Sequence, residues 1–494
     1  MGYGELILAS ASDYNLYLTN KPEITFFKSV FKRHTNFATE TIQIHFNNKP
    51  DFGKVFTAII PNDASILSNL SLYIELPSIN ISKHSILPNN TKKCKWIDKI
   101  GIGIIDYIEV EIGGTILERQ YSEWLNIWNE LTTTVDSRNS YNQTIGNISK
   151  LTDYTNGKNK HILHIPLKFW FCLDSGLALP LVALKHHEVK IHVKLNNFNK
   201  CVKESPTNYF ETSSYTCLFK DNETICQEID GITTKGEFIY FDVTKQRVYY
   251  NKIIGDFKIP TTTNILYKII GKISKFEIDP KINTEIQNDE KYFYYGDPVI
   301  ENCYLLADFI FIDKDESKYF INTELKYLVP VLNYTIEKEI GTREYDYKFI
   351  LKNPTKILTW RAVLKSNIEN NDKFNYTTYP LTDEKNNIIE NSTITCNSTK
   401  LTEINNWEFY YYLQKYLYNL NTTQKGIYLY SFSLNYDKNI PSGSLNFSKI
   451  RNSEINLTFN QNINYQNTIY FQVFSLSYNL LTIEEGLGGF KFSN

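Results

Sequence analysis

Residues Ile165–Leu195 read IPLKFWFCLDSGLALPLVALKHHEVKIHVKL, and the end of that stretch alternates more cleanly than any other segment of the chain. Val189, Ile191, Val193 and Leu195 fall on one side, and Glu188, Lys190, His192 and Lys194 on the other. Successive strand residues point to opposite faces, so this is a strand with one face in a core and the other in water. The same sorting recurs on either side of it. Ile108, Val110 and Ile112 share a face against Glu109 and Glu111, and the run stops at Gly113-Gly114, a hairpin signal. Ile42, Ile44 and Phe46 alternate with Thr41, Gln43 and His45. Farther on, LLADFIFID (from Leu305), Ile357–Leu364, Tyr428–Leu434, Ile455–Phe459 and Ile469–Leu481 read as further strands. Many short strands without a strand-helix-strand rhythm argue for an all-β protein of sandwiches or jelly rolls.

Helical spacing appears in a few places. Pro22 at a first-turn position, Glu23 beside it, and Ile24, Phe27 and Phe31 at i, i+3, i+7 predict an amino-terminal helix. Its basic end is Lys28, Lys32, Arg33 and His34. A solvated helix end is one reading of that cluster; docking on an acidic partner or an anionic membrane surface is the other. YSEWLNIWNEL (Tyr121–Leu131) predicts a short helix decorating the sheets, and Asp315–Leu328, just before Pro330, a helical linker between two β domains. A third helical patch lies near Trp407–Leu420.

Composition and motifs exclude more than they suggest. Fifty-two Lys+Arg against 54 Asp+Glu leave a formal charge of -2, without the basic excess that nucleic-acid binding requires. The longest wholly apolar run, Gly176–Leu184, is far below the ~18 residues of a membrane span. Cys94, Cys172, Cys201, Cys217, Cys226, Cys303 and Cys396 are odd in number and lack metal-ligand spacing, which predicts buried free thiols in a reducing compartment. In HHEVKIH (His186–His192), His187 and His192 are spaced wrongly for a helical zinc motif. Gly101-Ile-Gly103 lacks the third glycine of a dinucleotide loop, and Ser442-Gly443-Ser444 reads as a loop. The pairs Glu109/Glu111 and Glu484/Glu485 read as solvated faces rather than a general acid and base. No catalytic residue, cofactor or metal site is expected. The N-x-[ST] triplets at Asn69, Asn80, Asn222, Asn391 and Asn397 are what an Asn-, Ser- and Thr-rich chain produces by chance.

Taken in order, several stretches resemble the major capsid proteins of the nucleocytoplasmic large DNA viruses. They are ITFFKSVFKRHTNFATE (Ile24–Glu40), IDYIEVEIGGTILERQYSEWLNIWNEL (Ile105–Leu131), Ile165–Leu195, CYLLADFIFIDKDESKYF (Cys303–Phe320), YSFSLNYDKNIPSGSLNFSKI (Tyr430–Ile450) and YNLLTIEEGLGGFKFSN (Tyr478–Asn494). The resemblance implies a double jelly roll, two eight-stranded antiparallel sandwiches side by side. Its expected divisions are an arm over 1–24, a first roll over 25–313 with an insertion over 197–301, a linker helix over 314–329, a second roll over 330–485 and a tail over 486–494. The implied function is structural: a homotrimeric, pseudo-hexagonal capsomer tiling an icosahedral shell, located in the virion and assembled in host cytoplasm. The implied partners are neighbouring capsomers, minor capsid proteins and an internal viral membrane, with no sequence-specific nucleic acid. Lys28, Lys32, Arg33 and His34 are the expected inner-face contact, and the insertion an outward loop between the seventh and eighth strands. The alternatives are a minor double-jelly-roll paralogue and, from another class, a carbohydrate-binding or hydrolytic β-sandwich protein.

Overall fold

The computed structural model describes residues 2–10, 15–81, 92–229, 231–259, 267–285, 298–378, 387–418 and 424–492. The chain forms two units, Met1–Phe37 and Ala38–Asn494. The smaller one carries helices Tyr3–Ala9 and Leu16–Thr19 and then irregular chain. The helix expected from Pro22 to Arg33 is absent. So short a helix is marginal in water unless its stripe is buried. Phe26, Phe27 and Phe31 are instead 90%, 97% and 83% exposed, so the spacing exists without a surface to pack on.

The larger unit holds sixteen jelly-roll strands. The first eight are β1 (Phe37–His45), β2 (Val55–Ile60), β3 (Ile66–Leu76), β4 (Ile105–Ile112), β5 (Thr115–Tyr121), β6 (His161–Pro166), β7 (Val189–Leu195) and β8 (Cys303–Ile312). The rest are β9 (Leu325–Tyr334), β10 (Glu344–Phe349), β11 (Pro354–Leu364), β12 (Ile389–Cys396), β13 (Thr399–Lys400), β14 (Ile427–Ser431), β15 (Ser453–Phe459) and β16 (Ile469–Glu484). Sheet orders are β1-β8-β3-β6 and β2-β7-β4-β5, then β9-β16-β11-β14 and β10-β15-β12-β13. Counted within each sandwich, both halves therefore run first-eighth-third-sixth and second-seventh-fourth-fifth. That is one jelly-roll topology used twice.

The alternation that began the sequence reading is realised in β7, where Val189, Ile191, Val193 and Leu195 are buried and the residues between them half-buried. β7 lies between β2 and β4 in antiparallel register, Val189 opposite Ile60 on one side and Ile112 on the other. β4 and β5 turn at Gly113 and Gly114, whose φ values of 57° and 81° are the left-handed pair that a tight hairpin needs.

Residues 197–301 connect β7 to β8 and build their own seven-stranded sheet around Phe210, Ile225, Phe238, Val248 and Tyr250. This excursion also touches the second roll: Asn371 Nδ2 donates to the Asn199 and Val202 carbonyls, and Lys203 pairs with Asp372 at 3.0 Å.

Three expectations need correction. The helix Ser122–Thr132 does not decorate a sheet. Trp124, Ile127, Trp128 and Leu131 are buried against Leu332, Ile357, Val363, Phe474 and Leu476, on the outer face of the second roll's β9-β16-β11-β14 sheet. The linker helix is shorter than 314–329: it covers Lys314–Asn322, capped by the Asp313 carboxylate, and strand begins at Leu325. Pro330 sits inside β9, tolerated because β9 is an edge strand. Finally, the expected tail is built into the fold over its described residues, 486–492. Leu487–Phe490 pairs with β16, the His186 N–H donates to the Gly486 carbonyl, and Phe490 packs on Trp170.

If the tryptophan helix joins the two rolls, Trp124→Ala or Trp128→Ala should lower the unfolding free energy by about 3–5 kcal/mol, whereas a decorating helix would lose well under ~1. Denaturant titration of each variant against wild type makes the measurement.

Candidate functional site

The residues with chemical potential in the sequence are engaged in structure. His192 Nε2 lies 2.8 Å from Glu111 Oε2 and its Nδ1 lies 2.8 Å from Thr57 Oγ1. His187 Nδ1 accepts from the Gly488 N–H at 3.1 Å. Gly101 and Gly103 belong to one helical turn, Ile100–Gly103, and Ser442 Oγ accepts from the Asn435 N–H in a loop. Glu484 and Glu485 are exposed. Glu109, in contrast, is not on a solvated face. It is buried against Arg119 beside the Tyr121–Tyr334 ring contact, because this side of β4 and β5 meets β9 of the second roll. No cluster of metal-ligating side chains occurs among the described residues. The seven cysteines are free, and burial pushes the Cys94, Cys172 and Cys201 thiols up to about 12, so they are not nucleophiles.

Lys28, Lys32, Arg33 and His34 lie on irregular chain, all exposed, interleaved with exposed Val30 and Phe31. They share no helix face. His34 Nδ1 donates to the Thr35 carbonyl at 2.7 Å.

The polar chemistry of the larger unit gathers at the junction of the rolls. A cleft of about 690 Å³ there is lined by Glu123, Tyr334, Glu337, Arg361, Lys373 and Gln472, among others. Arg361 Nη2 donates to Glu337 Oε1 at 2.7 Å and to Gln472 Oε1 at 3.2 Å. Burial pushes the Glu123 carboxyl up, but Lys373 and Arg361 outweigh it and hold the group below the usual carboxylate range. Lys99 Nζ bonds Glu130, Asn126 and Gln424, each at 2.7 Å, and Arg138 takes the other Glu130 oxygen at 3.0 Å. Sequence reasoning missed this network. Its signal is the polar set Glu123, Asn126 and Glu130 spaced three and four apart on a helix whose other stripe is tryptophan, which marks a helix with partners on two sides.

Lys415 adds a cost to this region. Its Nζ lies 3.4 Å from the Tyr411 ring centroid, and burial, only partly offset by Glu130, brings it from the ordinary 10.5 down to about 6. Between those values the unfolded chain binds a proton that the folded chain does not, so stability falls as pH drops through that window. Lys415→Met should therefore be more stable than wild type, by a margin that grows from pH ~10 to ~6 and is level below. Chemical unfolding across that pH range tests it; a pH-independent difference would contradict it.

Two jelly rolls of one topology, locked by a shared helix, place the chain in the double-jelly-roll class. The comparisons specify it. Residues 25–242 match the family model described as major capsid protein N-terminus, and 316–489 that of the large eukaryotic DNA virus major capsid protein. The chain is 30% identical to the probable capsid protein 4 of Acanthamoeba polyphaga mimivirus, with 100% of both chains covered. It is 25% identical to the major capsid protein of Phaeocystis pouchetii virus, covering 100% of this chain and 99% of that one. In fold it is similar to the Faustovirus major capsid protein, with a TM-score of 0.68, 12% identity, and 96% and 94% of the two chains covered. The chain belongs to the major capsid protein family of large eukaryotic DNA viruses. It is a structural protein and not an enzyme.

Proposed function

We propose that three copies of this chain close into a pseudo-hexagonal capsomer and that these capsomers tile an icosahedral shell. The observation that carries the reading is the repeated strand order: two rolls of one topology in each chain give a trimer six similar corners. Neighbouring capsomers and minor capsid proteins are the partners. The exposed segment with Lys28, Lys32, Arg33 and His34 is the inner-face contact, suited by charge to acidic accessory protein or to an internal membrane. The 197–301 excursion is the outward decoration of the first roll. Assembly in host cytoplasm fits seven free thiols. A second reading, a less abundant paralogue at special lattice positions, is favoured by the numbered name of the mimivirus relative. Protein abundance in purified particles separates the two.

Light scattering on natively assembled protein should give about three times 57.7 kDa; a folded monomer at micromolar concentration would remove the trimer reading.

Charge reversal at Lys32 and Arg33 should leave that mass unchanged and impair particle assembly. Normal particles from the double variant would assign the cluster to a merely solvated segment.

A further inference from the structure

The polar network at the junction of the rolls is unlike a surface ion pair. Lys99 enters it from a left-handed backbone, φ 54° and ψ 44°, which a lysine adopts only where its surroundings impose it. Its side chain is 15% exposed, and Asn126 and Glu130 beside it are 0% and 3% exposed. The three N–H bonds of Lys99 Nζ are directed to Asn126 Oδ1, Glu130 Oε1 and Gln424 Oε1, each 2.7 Å away. The amide carbon of Gln424, Cδ, is thus one C=O bond beyond a direct contact with the amine. Gln424 is held as an electrophile: Asn126 Nδ2 donates to its Oε1 at 3.2 Å, drawing charge from Cδ, and its own Nε2 donates to the Phe374 carbonyl, which fixes the plane of the amide. Burial, larger than the opposing pull of Glu130, brings the Lys99 amine below its ordinary range. Burial pushes the Glu130 carboxyl up, but Lys99 and Arg138 outweigh it and keep the group ionised. An amine ready to lose a proton, a carboxylate to take it and a polarised amide are therefore in mutual contact, largely shielded from water.

We propose that Lys99 and Gln424 join in an amide bond, Nζ to Cδ, with loss of ammonia, so that the two rolls of one chain become covalently tied. Glu130 takes one proton from the Lys99 ammonium, and rotation about Cε–Nζ turns the freed electron pair toward Cδ. As the Nζ–Cδ bond forms, the carbonyl π pair moves onto Oε1, where the Asn126 N–H stabilises the negative charge. The pair then returns, the Cδ–Nε2 bond breaks, and Glu130 gives its proton to the departing nitrogen. The surplus proton on Nζ follows by way of Glu130, and the product leaves as ammonium. Every atom is accounted for within the four side chains, and no oxidant or cofactor is needed. Asn126 and Glu130 sit on the tryptophan helix, so the groups meet only when that helix is seated on the second roll, which makes the bond a consequence of folding. The inference stands on contacts inside one chain and is independent of how chains associate.

Mass spectrometry of the full-length wild-type chain, purified folded, tests it without any substitution. The intact mass should fall below that of the sequence by one ammonia, and a tryptic digest should contain a branched peptide that joins the segments carrying Lys99 and Gln424 and is uncleaved after Lys99. Closure of Asn156-Gly157 to a succinimide would lose the same mass without a branch, so the branched peptide decides. A chain of full sequence mass, cut normally after Lys99, would overturn the proposal; a branch from Lys99 to Asn126 would overturn the choice of Gln424. Glu130→Gln, which keeps the side-chain volume and removes the base, should reduce the branched fraction at least tenfold in folded protein. Full branching in that variant would overturn the role given to Glu130.

Discussion

Burial of Trp124 and Trp128 on the outer face of the second jelly roll is the interaction on which the larger unit depends. The two indoles stack at 5.5 Å, and Trp124 meets Phe474 at 5.9 Å. A buried aromatic side chain removes about 150–250 Å² from water, roughly 4–6 kcal/mol at 25 cal/mol per Å², an upper bound because unfolded chains are partly compact. Without that contact each roll would expose an apolar sheet or helix face. With it, the polar side of the same helix is brought to Lys99, Arg138 and Gln424, and its carboxylates find partners. Leaving any of those charges unpaired would be costly, so the network specifies how the helix is seated while the tryptophans supply the driving force.

A second tie runs through the long strands. β16 begins in the second roll's core with Ile469, Phe471 and Val473 and ends in the first roll's core with Leu481 and Ile483. β9, its antiparallel neighbour, places Val329 and Val331 in the first core as well. One strand pair is thus shared by two hydrophobic cores, and the rolls cannot rock independently without breaking a ladder.

Local chemistry was legible in the sequence and long-range chemistry was not. The alternation in β4 and β7 and the glycines at 113 and 114 encode their own geometry, so strands and hairpin could be read directly. The tryptophan helix was readable as a helix, but nothing within Tyr121–Leu131 says that a sheet more than two hundred residues away will cover it. Periodicity at Ile24, Phe27 and Phe31 names the face a helix would bury; it does not supply the surface, and no helix forms there. Glu109 looked solvated because its strand neighbours alternate correctly, while its burial comes from the other roll. Pro330 looked like a stop because a proline's meaning depends on whether its strand has a neighbour on both sides. Of the candidate site, the basic residues were found and their setting was not.

The edges of the sheets bear on a hazard common to proteins built of open β-sheets. An open strand edge is a template for a further strand, and at high concentration strand addition competes with correct assembly. Here β9 carries Pro330, which has no N–H to offer, β6 ends in Pro166, and β13 is only Thr399–Lys400. Those borders give a growing fibre little to copy. At those three borders strand addition is disfavoured, and contacts made there have to run through side chains.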